Sequence, residues 1–182
     1  MKKILVTGGM GYIGSHTVVE LLQHEYEVVI ADNLCNSQPV VLNSIEAITG
    51  KRPVFYDIDV CDSNALKKLF EQQKKIDAVI HFAAYKAVAE SVKQPLKYFQ
   101  NNLGSLLTVL DCMQISECCN LVFSSSATVY GNPDILPVTE STPLKKALSG
   151  YGSTKQMGED ILEKMTSTGM IKAISLRYFN PV

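Results

Sequence analysis

Tyr151-Gly-Ser-Thr-Lys155 places a phenol and an ammonium group four residues apart, which on a helix puts both on one face. An ammonium beside a phenol favours the phenolate, a general base. Moving a tyrosine from its ordinary pKa near 10 to about 7 takes about 4 kcal/mol of preference for the anion, which Lys155 and a cationic cofactor could supply together. Ser126, twenty-five residues earlier, adds a hydroxyl able to share the proton of one substrate oxygen. In that arrangement Tyr151 takes the proton while hydride leaves for a nicotinamide, Ser126 supports the developing oxyanion, and Lys155 holds the nicotinamide ribose. Each residue also has a plain structural explanation. With eight tyrosines in the chain a Tyr/Lys pair arises readily by accident, and serine runs such as Ser124-Ser125-Ser126 commonly end strands.

The case strengthens at the other end of the chain. Thr7-Gly8-Gly9-Met10-Gly11-Tyr12-Ile13-Gly14 follows the apolar run Ile4-Leu5-Val6 and carries glycines at 8, 11 and 14. Glycines there let the backbone turn sharply, approach a pyrophosphate and pack a helix on a sheet, while the helix N-terminus favours phosphate charge. Asp32 comes eighteen residues after Gly14, at the end of Val28-Val29-Ile30-Ala31. Its carboxylate can accept both ribose hydroxyls and repels a 2′-phosphate, and no arginine lies nearby, so NAD is favoured over NADP. Asp59 suits the adenine amino group, and small Ala83 and Ala84 let a dinucleotide lie close to the backbone.

These residues need elements to hold them. The glycine turn leads into a helical pattern through Ile13, Val18, Leu21 and Leu22. Val54-Phe55-Tyr56 reads as a third strand, Leu66, Leu69 and Phe70 as a helix face, and Ala78 to Phe82 as a fourth strand. Pro95 opens an apolar helix through Leu103, Leu106, Leu107 and Leu110, and Leu121-Val122-Phe123 is a strand ending in the three serines. The stretch from Gly131 to Gly150, with Pro133, Pro137 and Pro143, is a long loop. A helix from Tyr151 to about Ser167 and a strand at Ala173 to Leu176 complete the pattern. Strands alternating with helices predict an α/β fold, a Rossmann-type doubly wound parallel sheet in three α/β/α layers, covered on both faces.

Composition excludes several functions. A net charge of -1 with 46% apolar residues leaves no electrostatic footprint for nucleic acid or an anionic membrane. The longest lysine groups, such as Lys67-Lys68, are pairs and read as solvated surface. Met1-Lys2-Lys3 followed by Ile4-Leu5-Val6 starts like a signal peptide, but glycines interrupt it, and no segment could span a bilayer. Five cysteines without Cys-x-x-Cys spacing argue for reduced thiols in the cytoplasm, and His16, His24 and His81 have no metal-binding spacing.

Taken together, Thr7 to Gly14, the Ser126/Tyr151/Lys155 set and the strand order resemble the extended short-chain dehydrogenase/reductase family over the whole chain. Gly11-Tyr12-Ile13-Gly14-Ser15-His16, Asp32-Asn33-Leu34-Cys35-Asn36-Ser37, Lys86-Ala87-Val88, Ser124-Ser125-Ser126-Ala127-Thr128-Val129-Tyr130-Gly131 and Arg177-Tyr178-Phe179-Asn180-Pro181 resemble its UDP-glucose/UDP-galactose 4-epimerase family. The resemblance implies a tightly held NAD that takes hydride from C4 of a UDP-sugar while Tyr151 takes the O4 proton. The 4-keto sugar then rotates, and hydride returns to its other face. By the same resemblance the cofactor contacts are Gly8, Gly11, Tyr12, Ile13, Gly14, Asp32, Asn33, Leu34, Cys35, Asn36, Ser37, Asp59, Val60, Phe82, Ala83, Ala84, Tyr85, Lys86, Asn101, Ser126, Tyr151, Lys155 and Phe179. Tyr178, Phe179 and Asn180 would lie at the nicotinamide and sugar, with Ser126 and Tyr151, and Lys86 would face the pyrophosphate. A homodimer pairing the helix after Pro95 with the helix carrying Tyr151 is also implied.

The chain departs from that pattern at Ala84 and Tyr85, where glycine and leucine are expected. In this family a smaller carboxyl-terminal region grips the nucleotide and much of the sugar, and the sequence stops at Pro181-Val182. The expectation is therefore an NAD-binding domain over 1–182 that retains NAD and has very low epimerase activity. Nucleotide-sugar 4,6-dehydratases place Asp-Glu where this chain has Ala127-Thr128, which argues against that chemistry. Epimerases of other UDP-sugars, and a non-catalytic NAD-binding module, stay open at this point.

Overall fold

A computed structural model describes residues 1–180; Pro181, the end of the last motif above, lies outside the described residues. β1 (Lys3–Thr7) runs into the glycine turn and α1 (Tyr12–Gln23), and the chain returns through β2 (Glu27–Asp32), α2 (Val40–Thr49) and β3 (Val54–Asp57). It continues as α3 (Ser63–Gln73), β4 (Ala78–His81), α4 (Val88–Lys93), α5 (Pro95–Tyr98), a π-helical turn (Phe99–Leu103) and α6 (Gly104–Ile115). β5 (Asn120–Ser126), a 3-10 turn (Ala127–Tyr130), α7 (Gly150–Ser167) and β6 (Lys172–Tyr178) follow. The strands form one parallel sheet in the order β3-β2-β1-β4-β5-β6. The order reverses between β1 and β4, which opens a crevice at the carboxyl ends of those strands, where doubly wound sheets bind ligands.

Strand alternation sorts the apolar residues into two cores. Ile4, Val6, Val28 and Ile30 pack with Val18 and Leu22 of α1 and Leu42 and Ile45 of α2. Leu5, Val29, Val79, Leu121 and Phe123 pack on the other face against Leu66 and Leu69 of α3, Leu106 and Val109 of α6, and Leu162 of α7. The three layers are as the sequence predicts, with one difference in coverage. The α1/α2 layer reaches Ile80 and Phe82, while on that same face Ile174 and Leu176 of β6 stay 61% and 38% exposed.

Several elements differ from the sequence reading. α2 and α4 had no reading at all. α2 turns only Leu42 and Ile45 fully inward, too few positions to set a helical period, and it ends at Gly50 in the left-handed region at φ 68°. The helix opened by Pro95 is continuous in space, but its Phe99–Leu103 turn is π-helical. β5 ends in the three serines as the sequence predicts, and they pair with Leu176, Arg177 and Tyr178.

Candidate active site

The glycine turn is shaped by contacts that leave no room for a side chain. Gly8 has φ +69°, and a Cβ there would lie 2.7 Å from the Ala83 nitrogen at the end of β4. A Cβ on Gly14 would run into the Gly8 carbonyl oxygen and lie 2.9 Å from the Gly9 Cα. Both glycines therefore hold α1 close to the strand ends. Gly11 is the N-cap of α1 and offers no side-chain cap, so the first-turn amides depend on another acceptor, a role a phosphate fills.

Asp32 closes this end. Its carboxylate is buried at 8% exposure and accepts the Met10 N–H at 3.0 Å, the Leu34 N–H at 2.9 Å and the Ser37 hydroxyl at 3.0 Å. Leu34 is held at φ 56°, and the loop after β2 is folded around the carboxylate. The carboxylate thus arrives pre-oriented at the edge of the crevice it lines.

At the other end, Ser149 caps α7 by accepting the Gly152 N–H at 3.0 Å, which sets where the helix begins and hence where Tyr151 and Lys155 lie. Ser126 ends β5, 8% exposed, and its Oγ accepts the Thr128 N–H at 3.2 Å. Lys155 is buried at 4% exposure. Its ammonium donates to the Ser124 carbonyl at 2.7 Å and lies 4.9 Å from the centre of the Phe123 ring and 5.7 Å from that of Tyr151. Burial pulls the Lys155 pKa down to about 8. His81, beneath the crevice, bonds Thr7 Oγ1 through Nδ1 at 2.8 Å. Burial, with the Lys155 charge second, holds it neutral at about 3.

The phenol does not behave as the sequence suggests. Burial raises the Tyr151 pKa above its ordinary value, and the nearby Ser126 hydroxyl draws it only partly back. The physical reason is that a half-buried phenolate is poorly solvated, while Lys155 spends a proton on the Ser124 carbonyl and lies over the ring. With these groups alone the surroundings of Tyr151 favour the neutral phenol.

Both ends open into one cavity of about 570 Å³, a size within the usual range for small-molecule sites. Gly8, Gly11, Tyr12, Ile13, Gly14, Asp32, Asn33, Cys35, Asn36, Ser37, Asp59, Val60, Phe82, Ala83, Ala84, Tyr85, Lys86, Asn101, Ser126, Tyr151, Lys155, Tyr178, Phe179 and Asn180 line it. Leu34 is the exception among the expected contacts. Its amide serves Asp32 and its side chain packs against the α1/α2 core. Ile58, Val88, Ser105, Ser124, Ser125, Ala127 and Thr128 also line the cavity, outside the contacts expected from sequence. Thr128 carries a signal of its own, since its Oγ1 is buried with no hydrogen-bond partner among the described residues. An uncapped helix start, a pre-oriented carboxylate and an orphaned hydroxyl along one cavity fit an elongated polar ligand such as a dinucleotide with a second, hydroxylated molecule. Among the described residues no cluster of His, Cys, Asp or Glu could hold a metal ion.

The profile of the NAD dependent epimerase/dehydratase family matches residues 4–182. The chain belongs to that family. Among its members, UDP-glucose 4-epimerase of Pasteurella multocida is 49% identical over 180 residues, 98% of this chain and 53% of that protein. The structure of UDP-glucose 4-epimerase from Bifidobacterium longum in complex with NAD+ and UDP superposes with a TM-score of 0.96 at 46% identity, over 100% of this chain and 54% of that one. The Stenotrophomonas maltophila enzyme with bound NAD and formylated UDP-arabinopyranose gives 0.96 at 48% identity, again over 100% of this chain and 54% of that one. The chain therefore spans about half the length of the family members it matches.

Proposed function

We propose that residues 1–182 form an NAD-binding domain in which Tyr151 moves the O4 proton of a UDP-hexose, the chemistry of UDP-glucose/UDP-galactose 4-epimerisation. The observation that carries this reading is the single cavity joining the glycine turn and Asp32 to Ser126, Tyr151 and Lys155. When bound, NAD supplies a hydride acceptor and donor and a positive nicotinamide. The first-turn amides of α1 receive the pyrophosphate, Asp32 the adenosine ribose and Asp59 the adenine amino group. Lys86 stands opposite phosphate charge. Tyr151, relieved of its burial penalty by a neighbouring cation, accepts the sugar proton and returns it. Ser126 bonds the same oxygen as charge develops there, and Lys155 holds the nearby ribose. Tyr178, Phe179 and Asn180 face the sugar, and the Thr128 hydroxyl is free to receive one of its hydroxyls.

Cytoplasmic operation is supported by five free thiols. No helix among the described residues is long and apolar enough to cross a membrane. A homodimer through α6 and α7 is supported by Leu107 and Met157, which are 52% and 45% exposed.

Mass spectrometry of the supernatant from denatured, purified protein tests the cofactor. NAD is expected, NADP in its place overturns the reading of Asp32, and the absence of any dinucleotide overturns the whole. UDP-galactose added to the loaded protein is expected to reduce the bound nucleotide. Tyr151→Phe should retain NAD and slow that reduction by about a hundredfold or more; an undiminished rate would remove Tyr151 from the mechanism.

A further inference from the structure

Glu159 is the next residue on the face of α7 that carries Tyr151 and Lys155, in steps of four. Its side chain is only 11% exposed, and it takes no part in the proton transfer described above. The carboxylate accepts the Ser125 hydroxyl and meets Arg177 as a fork, with Nη2 at 2.7 Å from Oε2 and Nε at 3.0 Å from Oε1. The remaining arm of the guanidinium, Nη1, donates to the Tyr130 hydroxyl at 2.9 Å, and the guanidinium carbon lies 4.9 Å from the centre of the Tyr130 ring. That ring stacks in turn with Phe179, at 6.4 Å between centres.

The sheet register gives this cluster its meaning. Ser125 and Arg177 are directly opposed on β5 and β6, each one step before a residue at the cavity's edge, Ser126 and Tyr178. Ser125 already lines the cavity, so one carboxylate on α7 grips both strands one residue before Ser126 and Tyr178. A planar fork fixes angle as well as distance, which a single lysine contact would not do. An enclosed ion pair recovers its desolvation cost only in good geometry, so its value lies more in setting register than in adding stability.

We propose that Glu159 and Arg177 are positioning residues, pinning α7 to the ends of β5 and β6 so that the Ser126 hydroxyl meets the Tyr151 phenol. This rests on the Ser126/Tyr151 pairing of the proposed function. The pair bridges β5, the 3-10 turn, α7 and β6, the elements that supply the reacting end of the cavity. Loosening it changes the serine-phenol contact without removing either partner.

The test is the carbon-13 signal of the Tyr151 Cζ in protein labelled at tyrosine and loaded with NAD, because that shift reports phenol hydrogen bonding. Tyr151→Phe assigns the signal, and Ser126→Ala marks where it moves when the serine bond is lost. Glu159→Gln is expected to move it most of the way to the Ser126→Ala position. Arg177→Lys, which keeps the charge and loses the fork, is expected to move it part of the way. A Tyr151 signal that ignores Ser126→Ala overturns the serine-phenol pairing, and the positioning role with it. A signal that responds to Ser126→Ala but stays in place in both Glu159→Gln and Arg177→Lys overturns the positioning role alone, whatever those variants do to the melting temperature. Should Glu159→Gln fail to fold, Arg177→Lys decides the matter by itself.

Discussion

The half of the sheet made by β1, β2 and β3 and the half made by β4, β5 and β6 share one crevice but build their parts of it differently. In the first half helices cover both faces, and the ligand-facing groups are largely backbone: a glycine turn with no space for side chains and an uncapped helix start. Asp32, one of its two charged groups with Asp59, is satisfied by three neighbours. In the second half that double cover stops short of β6, leaving Ile174 and Leu176 exposed. Its ligand-facing groups are side chains, and it holds the two buried bases whose pKa values burial displaces furthest, His81 and Lys155. The difference teaches a division of labour. On the proposed function, rigid backbone geometry would bind a constant group such as pyrophosphate, while proton transfer would need side chains whose protonation the surroundings can tune.

The largest effect should come from breaking the backbone half. Gly14→Ala forces a methyl group into the Gly8 carbonyl and to 2.9 Å from the Gly9 Cα, and neither can yield without moving α1 off the strands. NAD affinity measured by calorimetry is expected to fall at least about a hundredfold, about 3 kcal/mol. Retention of full affinity would mean that the turn is not the phosphate cradle.

Next in size is a test of the tuned half. The folded pKa of Lys155, about 8, lies below its ordinary 10.5. The cost of burying its charge is therefore complete below pH 8, and stability returns as pH rises from 8 toward 10.5. The stability difference between the wild-type chain and Lys155→Met, from urea unfolding, isolates this from the titration of tyrosines. At pH 7 Lys155→Met is expected to be more stable by about 2 kcal/mol, after allowing about 1 kcal/mol for the lost bond to Ser124. The wild-type chain should close that gap by pH 10.5, and a difference flat with pH would show that Lys155 is not held against its charge.

The smallest effect is expected on the bare face. Ile174→Ser replaces a side chain that is 61% exposed, and stability should change by less than about 0.5 kcal/mol. A loss of about 2 kcal/mol or more would mean that something covers the β6 face in solution, as α1 and α2 cover the other half.

How much could be read beforehand follows the same division. The glycine turn and Asp32 were legible because their chemistry depends on short spacings and on a strand and helix that apolar runs announce. Tyr151 and Lys155 were legible as a pair for the same reason. α2 was missed because only Leu42 and Ile45 turn fully inward, and the grouping of Glu159 with Arg177 and Ser125 was missed because eighteen and thirty-four residues separate them along the chain. Leu34 sits in the expected segment, yet its left-handed backbone turns its amide to Asp32 and its side chain to the core.

By itself the sequence determined the parallel α/β sheet and singled out the glycine turn and the side chains proposed to react, since local periodicity and close spacing encode those features. The tertiary structure alone decided the sign of the Tyr151 shift, the neutral state of His81, the orphaned Thr128 hydroxyl and the forked pair beneath the site. Each of these depends on how much water is excluded and on which distant groups come within hydrogen-bonding distance, quantities that exist only once the chain has folded.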